Sequence, residues 1–206
     1  MRTLLFNDFP FIFPILFLIM VAILMYYPNA LVIVICFVIL LWFISIFRIE
    51  ERTSNNVSNR HVLSPIDGTL LEIREHDNSF TFVFFNSVFN SQVQWAPYDG
   101  KITSINMVEG DKNVAWSLEH HNNNMQDIIT IETDIGNMKL HKISSWMTLK
   151  ERNFINVGQV VNQAQTLGYI IFPARIDLTI PKSNITPILH PNEKVVGGKT
   201  IIAKLK

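Results

Sequence analysis

Hydrophobic and polar positions divide this chain into two parts with different rhythms. From Phe9 to Phe47 no Asp, Glu, Lys, Arg or His interrupts the apolar residues. Pro28-Asn29 splits the stretch into two runs, at about residues 9–27 and 30–47. Each approaches the roughly 20 residues that carry a helix across a hydrocarbon core about 30 Å thick. A helix that is apolar on every face suits lipid better than a soluble core, where one face meets water. Residues 1–48 are therefore expected to form a hydrophobic α-helical membrane hairpin. Pro10 and Pro14 make the first run less regular and allow it a shallow or re-entrant path.

After a polar stretch at 49–61, read as a linker, the rhythm changes to the short alternation of β-strands. Strands are expected around Gly68–Ile73, Phe80–Phe85, Lys101–Ile105, Ile128–Glu132 and Met138–Ile143, and again on both sides of Pro173. Pro173 cannot donate to a ladder, so it marks an edge, a bulge or a gap between two strands. The turn signal Pro-x-Asp-Gly-x-apolar occurs twice, at Pro65-Ile66-Asp67-Gly68-Thr69-Leu70 and Pro97-Tyr98-Asp99-Gly100-Lys101-Ile102. That recurrence indicates a pseudo-repeated β unit. With the spacing Val195-x-x-Gly198-x-x-Ile201, it predicts a mainly β, barrel-sandwich (lipoyl/biotinyl-like) domain over 62–206.

Charge adds a side to this picture. Arg2 precedes the hairpin, Arg48, Arg52 and Arg60 follow it, and the connecting Tyr26-Tyr27-Pro28-Asn29 is uncharged. The positive-inside rule then puts the β domain on the cytoplasmic side of an inner membrane. Formal net charge is zero, which argues against a nucleic-acid partner. The single cysteine, Cys36, cannot build a disulfide framework. The six histidines lack ligand spacing with carboxylates, so no metal is expected. Met138-Lys139 is similar to the tip of a biotin or lipoyl carrier, but an ordinary strand lysine explains it better, since Met-Lys pairs are common by chance.

The stretch Gly168-Tyr169-Ile170-Ile171-Phe172-Pro173-Ala174-Arg175-Ile176-Asp177, closed by Pro181, resembles a known self-cleavage segment. In short bacterial phosphatidylserine decarboxylases that segment runs Gly-x-Ile-x-Phe-Gly-Ser-Arg-Val-Asp-x-x-x-Pro. Ser64-Pro65-Ile66-Asp67-Gly68, Phe85-Asn86-Ser87-Val88-Phe89, Ala96-Pro97-Tyr98-Asp99-Gly100 and Gly198-Lys199-Thr200-Ile201-Ile202-Ala203 match further family motifs in order. Phe47-Arg48 through Glu51-Arg52 resembles the family's Phe-Arg-Asp-Pro-Glu-Arg junction, without its proline.

The resemblance implies a mechanism. An Asp-His-Ser set drives self-cleavage: the serine oxygen attacks the preceding glycine carbonyl, and elimination and hydrolysis leave an N-terminal pyruvoyl group. That ketone forms a Schiff base with the substrate amine and serves as the electron sink for loss of CO₂. Carried over residue by residue, the aspartate falls on Asp67, which also fits a plain turn role. The histidine position is Gln92, and an amide is no general base near neutral pH. The serine position is Ala174, and the scissile glycine is Pro173. No Ser, Thr or Cys lies between Gly168 and Arg175 to act instead. The family's pyruvoyl cofactor is therefore not formable at Ala174. Arg175 and Asp177 persist beside it, as a charged tie or as headgroup contacts.

The expected function is a membrane-anchored phosphatidylserine decarboxylase-like protein without self-cleavage or decarboxylase activity. Its partners would be membrane phospholipid, such as phosphatidylserine, and an active homologue or a second copy of itself. Two alternatives stand beside it: a functional decarboxylase with a non-standard site, and a membrane-fusion-type adaptor.

Overall fold

A computed structural model describes residues 11–27, 29–46, 50–52, 60–111, 113, 123–172, 174–182 and 185–206. The chain divides into two units, Met1–Glu50 and Glu51–Lys206.

In the first unit, α1 spans Ile12–Tyr26 and α2 spans Ala30–Ile46. Neither has an acidic first turn or a basic last turn. Asn29 caps α2, its Oδ1 accepting the Leu31 N–H at 2.9 Å. Large apolar side chains such as Phe17, Leu18, Leu31 and Phe37 stand exposed. At about 1.5 Å per residue the helices measure about 22 and 25 Å, short of a core about 30 Å thick. Among the described residues, no helix is long and apolar enough to cross a membrane. The two full spans expected over 9–27 and 30–47 are thus not found; Phe9, Pro10, Pro28 and Phe47 lie outside the described residues.

The second unit is built of strands β1 (His61–Leu63), β2 (Gly68–Glu75), β3 (Ser79–Asn86), β4 (Val93–Trp95) and β5 (Gly100–Val108). There follow β6 (Gln126–Thr133), β7 (Gly136–Ile143), β8 (Lys150–Asn153), β9 (Val160–Val161) and β10 (Thr166–Ile171). The last four are β11 (Ala174–Pro181), β12 (Ile185–Pro187), β13 (Lys194–Val195) and β14 (Ile201–Leu205). They make an eight-stranded sheet, ordered β13-β2-β3-β11-β7-β6-β5-β9, and two three-stranded sheets, β4-β10-β8 and β1-β14-β12. The mainly β reading holds, and the sheets of the expected barrel-sandwich are open. The two-residue strands β9 and β13 end the large sheet on opposite sides without pairing to each other.

The repeated turn proves to be a repeated structure. Gly68 opens β2, whose register shifts between Leu70 and Glu72; Gly100 opens β5, whose register shifts between Ile102 and Ser104. Val195 pairs with Gly68, and Val161 with Gly100. Two residues beyond each valine, a backbone N–H meets the turn aspartate: Gly197 to Asp67 Oδ1 and Gln163 to Asp99 Oδ1, at 2.7 and 2.6 Å. The two turns also bond reciprocally, Leu63 N to Pro97 O and Trp95 N to Pro65 O, both 2.9 Å. The core lies between these halves, with Phe82, Phe84, Ile102, Ile129, Leu140 and Ile176 fully buried.

Lys139 sits mid-strand opposite Thr130 and Thr179, not at a hairpin tip where a carrier lysine would be presented.

Candidate active site

β10 and β11 are consecutive in sequence yet belong to different sheets, and the Phe172–Ala174 junction carries the chain from one to the other. Phe172 adopts φ +74, a left-handed conformation costly for a non-glycine residue. Pro173 lies outside the described residues. Ala174 opens β11, fully buried, opposite Asn86 of β3.

Gln92 is fully buried and faces this junction. Its Oε1 accepts the Phe172 N–H at 2.8 Å, while its Nε2 donates to Ser87 O and Asn90 O at 3.1 and 2.6 Å. The amide therefore ties the β3–β4 loop to the junction, using a donor and an acceptor at once.

Asp67 reaches the same neighbourhood through Asn86, whose Nδ2 donates to Asp67 O and to Ser91 O, both at 2.8 Å. Its carboxylate points elsewhere. Arg52 Nη1 and Nη2 donate to Asp67 Oδ1 and Oδ2 at 2.5 and 3.0 Å, and the Gly197 N–H adds a third contact. The guanidinium also donates to Gly197 O and stacks 3.9 Å from the Trp95 ring centre. Gly197 has to be glycine: a Cβ there would come within 2.5 Å of the Trp95 ring. Both oxygens of Asp67 are committed to holding this cluster.

Arg52 was legible only as a flanking charge and a weak junction match, in the middle of the expected 49–61 linker. It is in fact buried in the β unit. Residues 53–59 and Arg48 lie outside those described.

A polar layer missed from sequence lies on the face of the large sheet that also carries Ala174. Register puts Lys142 opposite Ile176, and Asp127 opposite Lys142, on the large sheet. Lys142 Nζ lies 2.6 Å from Asp127 Oδ2, and both side chains are 1% exposed. From the small sheet, Asn153 joins them, accepting from Lys142 at 2.6 Å and donating to Asp127 at 2.7 Å. Beside it Ser144 Oγ donates to Glu151 Oε2 at 3.3 Å. The alternation Met138, Leu140, Lys142 was the signal that Lys142 turns inward.

Arg175 closes on its own strand: Nε and Nη2 donate to Asp177 Oδ1 and Oδ2, both at 2.7 Å. The guanidinium is fully buried, which fits a structural tie better than a surface contact with a headgroup.

The geometry brings Gln92 to the Phe172–Ala174 junction, while the Asp67 carboxylate is turned to Arg52 and Gly197. The family model described as phosphatidylserine decarboxylase matches residues 39–203. A protein of Methanosarcina mazei, provisionally named an archaetidylserine decarboxylase proenzyme, is 33% identical over 161 residues, 78% of this chain and 74% of that protein. The Methanosarcina acetivorans counterpart, also provisionally named, is 31% identical over 168 residues, 81% and 77% of the two chains. The phosphatidylserine decarboxylase proenzyme of Porphyromonas gingivalis is 27% identical over 186 residues, 86% and 84%. This chain belongs to the phosphatidylserine decarboxylase family.

Proposed function

We propose that this chain is a membrane-associated member of its family that stays uncut and does not decarboxylate by a pyruvoyl group. The observation that carries the reading is Ala174. It occupies the position of the family's serine, fully buried and paired with Asn86, and its side chain offers no oxygen. A pyruvoyl group does not fit these residues, since its precursor must carry a side-chain heteroatom that can leave. Gln92 supports the same conclusion. Its amide has no basic lone pair to take a proton, and both its polar ends are already engaged.

What the chain retains is a lipid-metabolising frame without that chemistry. Its role is then to bind phospholipid, phosphatidylserine among them, or to regulate an active relative. The uncharged, apolar helices α1 and α2 support seating in a cytoplasmic membrane, at a shallow or re-entrant depth that their lengths allow. The flanking arginines support a β unit on the cytoplasmic side.

The test is intact-mass spectrometry of the purified chain with an assay for conversion of serine lipid to ethanolamine lipid. One uncut mass and no conversion are expected. A fragment beginning at residue 174, or conversion that is lost in Asp67→Ala, would overturn the reading.

A further inference from the structure

Two loops border the Phe172–Ala174 junction, and both end in exposed apolar side chains. The β3–β4 loop carries Phe89, 79% exposed. It is fastened by Asn90 N–H to Ser87 O at 3.1 Å and by the Gln92 amide, which reaches Phe172. The β7–β8 loop carries Trp146 and Leu149, 59% and 57% exposed. Ser145 N–H donates to Thr148 Oγ1 at 2.8 Å, and Leu149 N–H donates to Ile171 O at 3.2 Å. The two loops are thus hydrogen-bonded to consecutive residues, Ile171 and Phe172, at the end of β10.

Exposed Trp, Phe and Leu on fastened loops lose little ordering entropy on docking, because their backbones are already held. Two cations, Lys150 and Arg152, follow Leu149 directly on β8. Aromatic and aliphatic tips beside basic residues are the composition that enters the headgroup region of a bilayer, where Trp prefers the interface and cations meet lipid phosphates. A protein-binding patch would draw on the same aromatics. The uncharged helices carried by the same chain favour lipid as the occupant.

We propose that Phe89, Trp146 and Leu149 form a membrane-docking rim that sets the Ala174 junction against a phospholipid surface. The proposal rests on the lipid-binding reading above and gives that reading a face.

The experiment uses the full-length chain with Cys36→Ser, reconstituted into vesicles of phosphatidylcholine and phosphatidylglycerol. Single nitroxide labels go at Phe89→Cys, Leu149→Cys, Val160→Cys and Ile33→Cys, and each is relaxed by oxygen, which enters lipid, or by a water-soluble nickel chelate. Val160 is the control, 68% exposed on the edge strand β9. The expected result is a several-fold higher oxygen-to-nickel ratio at 89 and 149 than at 160. Ratios at 89 and 149 equal to that at 160 would overturn the rim, whether all three are wet or all three are in lipid. Shielding of 89 and 149 from both reagents would overturn it in favour of a protein partner. Ile33 separates the two readings. A label there in lipid with wet loops sinks the rim alone. A label there in water with lipid-exposed loops supports the rim and sinks the seating of the helices.

Discussion

Arg52 and Asp67 meet in a two-pronged contact, 2.5 and 3.0 Å, that makes the turn aspartate an anchor of the β unit. The guanidinium is 4% exposed and the carboxylate 18%, so removing either partner leaves the other's charge largely out of water.

Arg52→Ala should therefore destabilise the β unit by about 3 kcal/mol, and Asp67→Ala by a similar amount. Arg52→Lys should recover less than half of the loss, because a point charge cannot supply both prongs or stack on Trp95. Urea denaturation followed by Trp fluorescence reads all three. A lysine variant of wild-type stability would contradict the planar, bidentate role.

Gln92 engages a donor and an acceptor together, so the isosteric Gln92→Glu separates them. The glutamate keeps an acceptor for Phe172 N–H but faces Ser87 O and Asn90 O with no donor. A loss of about 2 kcal/mol at neutral pH is expected, recovered in part when acid protonates the new carboxyl. Denaturant midpoints at neutral and acidic pH, each against wild type, make the comparison.

Lys142 and Asp127 form a buried pair whose members depend on each other. Lys142→Met alone strands a carboxylate and should cost about 3–5 kcal/mol, as should Asp127→Leu alone. The double variant should lose clearly less than the two losses combined. Additive losses in that double-mutant cycle would show that the pair is not coupled.

These polar residues explain what was legible in the sequence and what was not. The strands and the repeated Pro-x-Asp-Gly turns were legible because alternation and turn chemistry are local. The partners of Asp67 were not, because Arg52 and Gly197 lie far from it along the chain and meet it only through the fold. β8 was missed for another reason. Lys150-Glu151-Arg152-Asn153 has no apolar residue, and it is a strand because β10 offers it a partner. The helices looked longer as an uncharged run than they are as hydrogen-bonded structure.

His141 gives the fold a pH dependence with a definite sign. Burial lowers its affinity for a proton and Lys139 adds to this, while Asp177 opposes. The unfolded chain therefore binds more protons once pH falls below the ordinary imidazole value near 6.5. This contribution to stability is complete above that value and lost as pH falls through the folded one. His141→Gln should flatten the slope of denaturant midpoint against pH in this window. An unchanged slope would assign it to other groups.

The crossing at Phe172–Ala174 has a consequence for how the protein can be unmade and remade. β10 and β11 lie in different sheets, and the backbone between them is the covalent seam that joins those sheets at this point. A chain whose seam is cut must refold from two separate pieces, a bimolecular step that weakens as the protein is diluted. A chain whose seam is whole carries all of its folding information in one molecule. Refolding whose rate and midpoint do not change with protein concentration is therefore expected of an unbroken junction at Ala174.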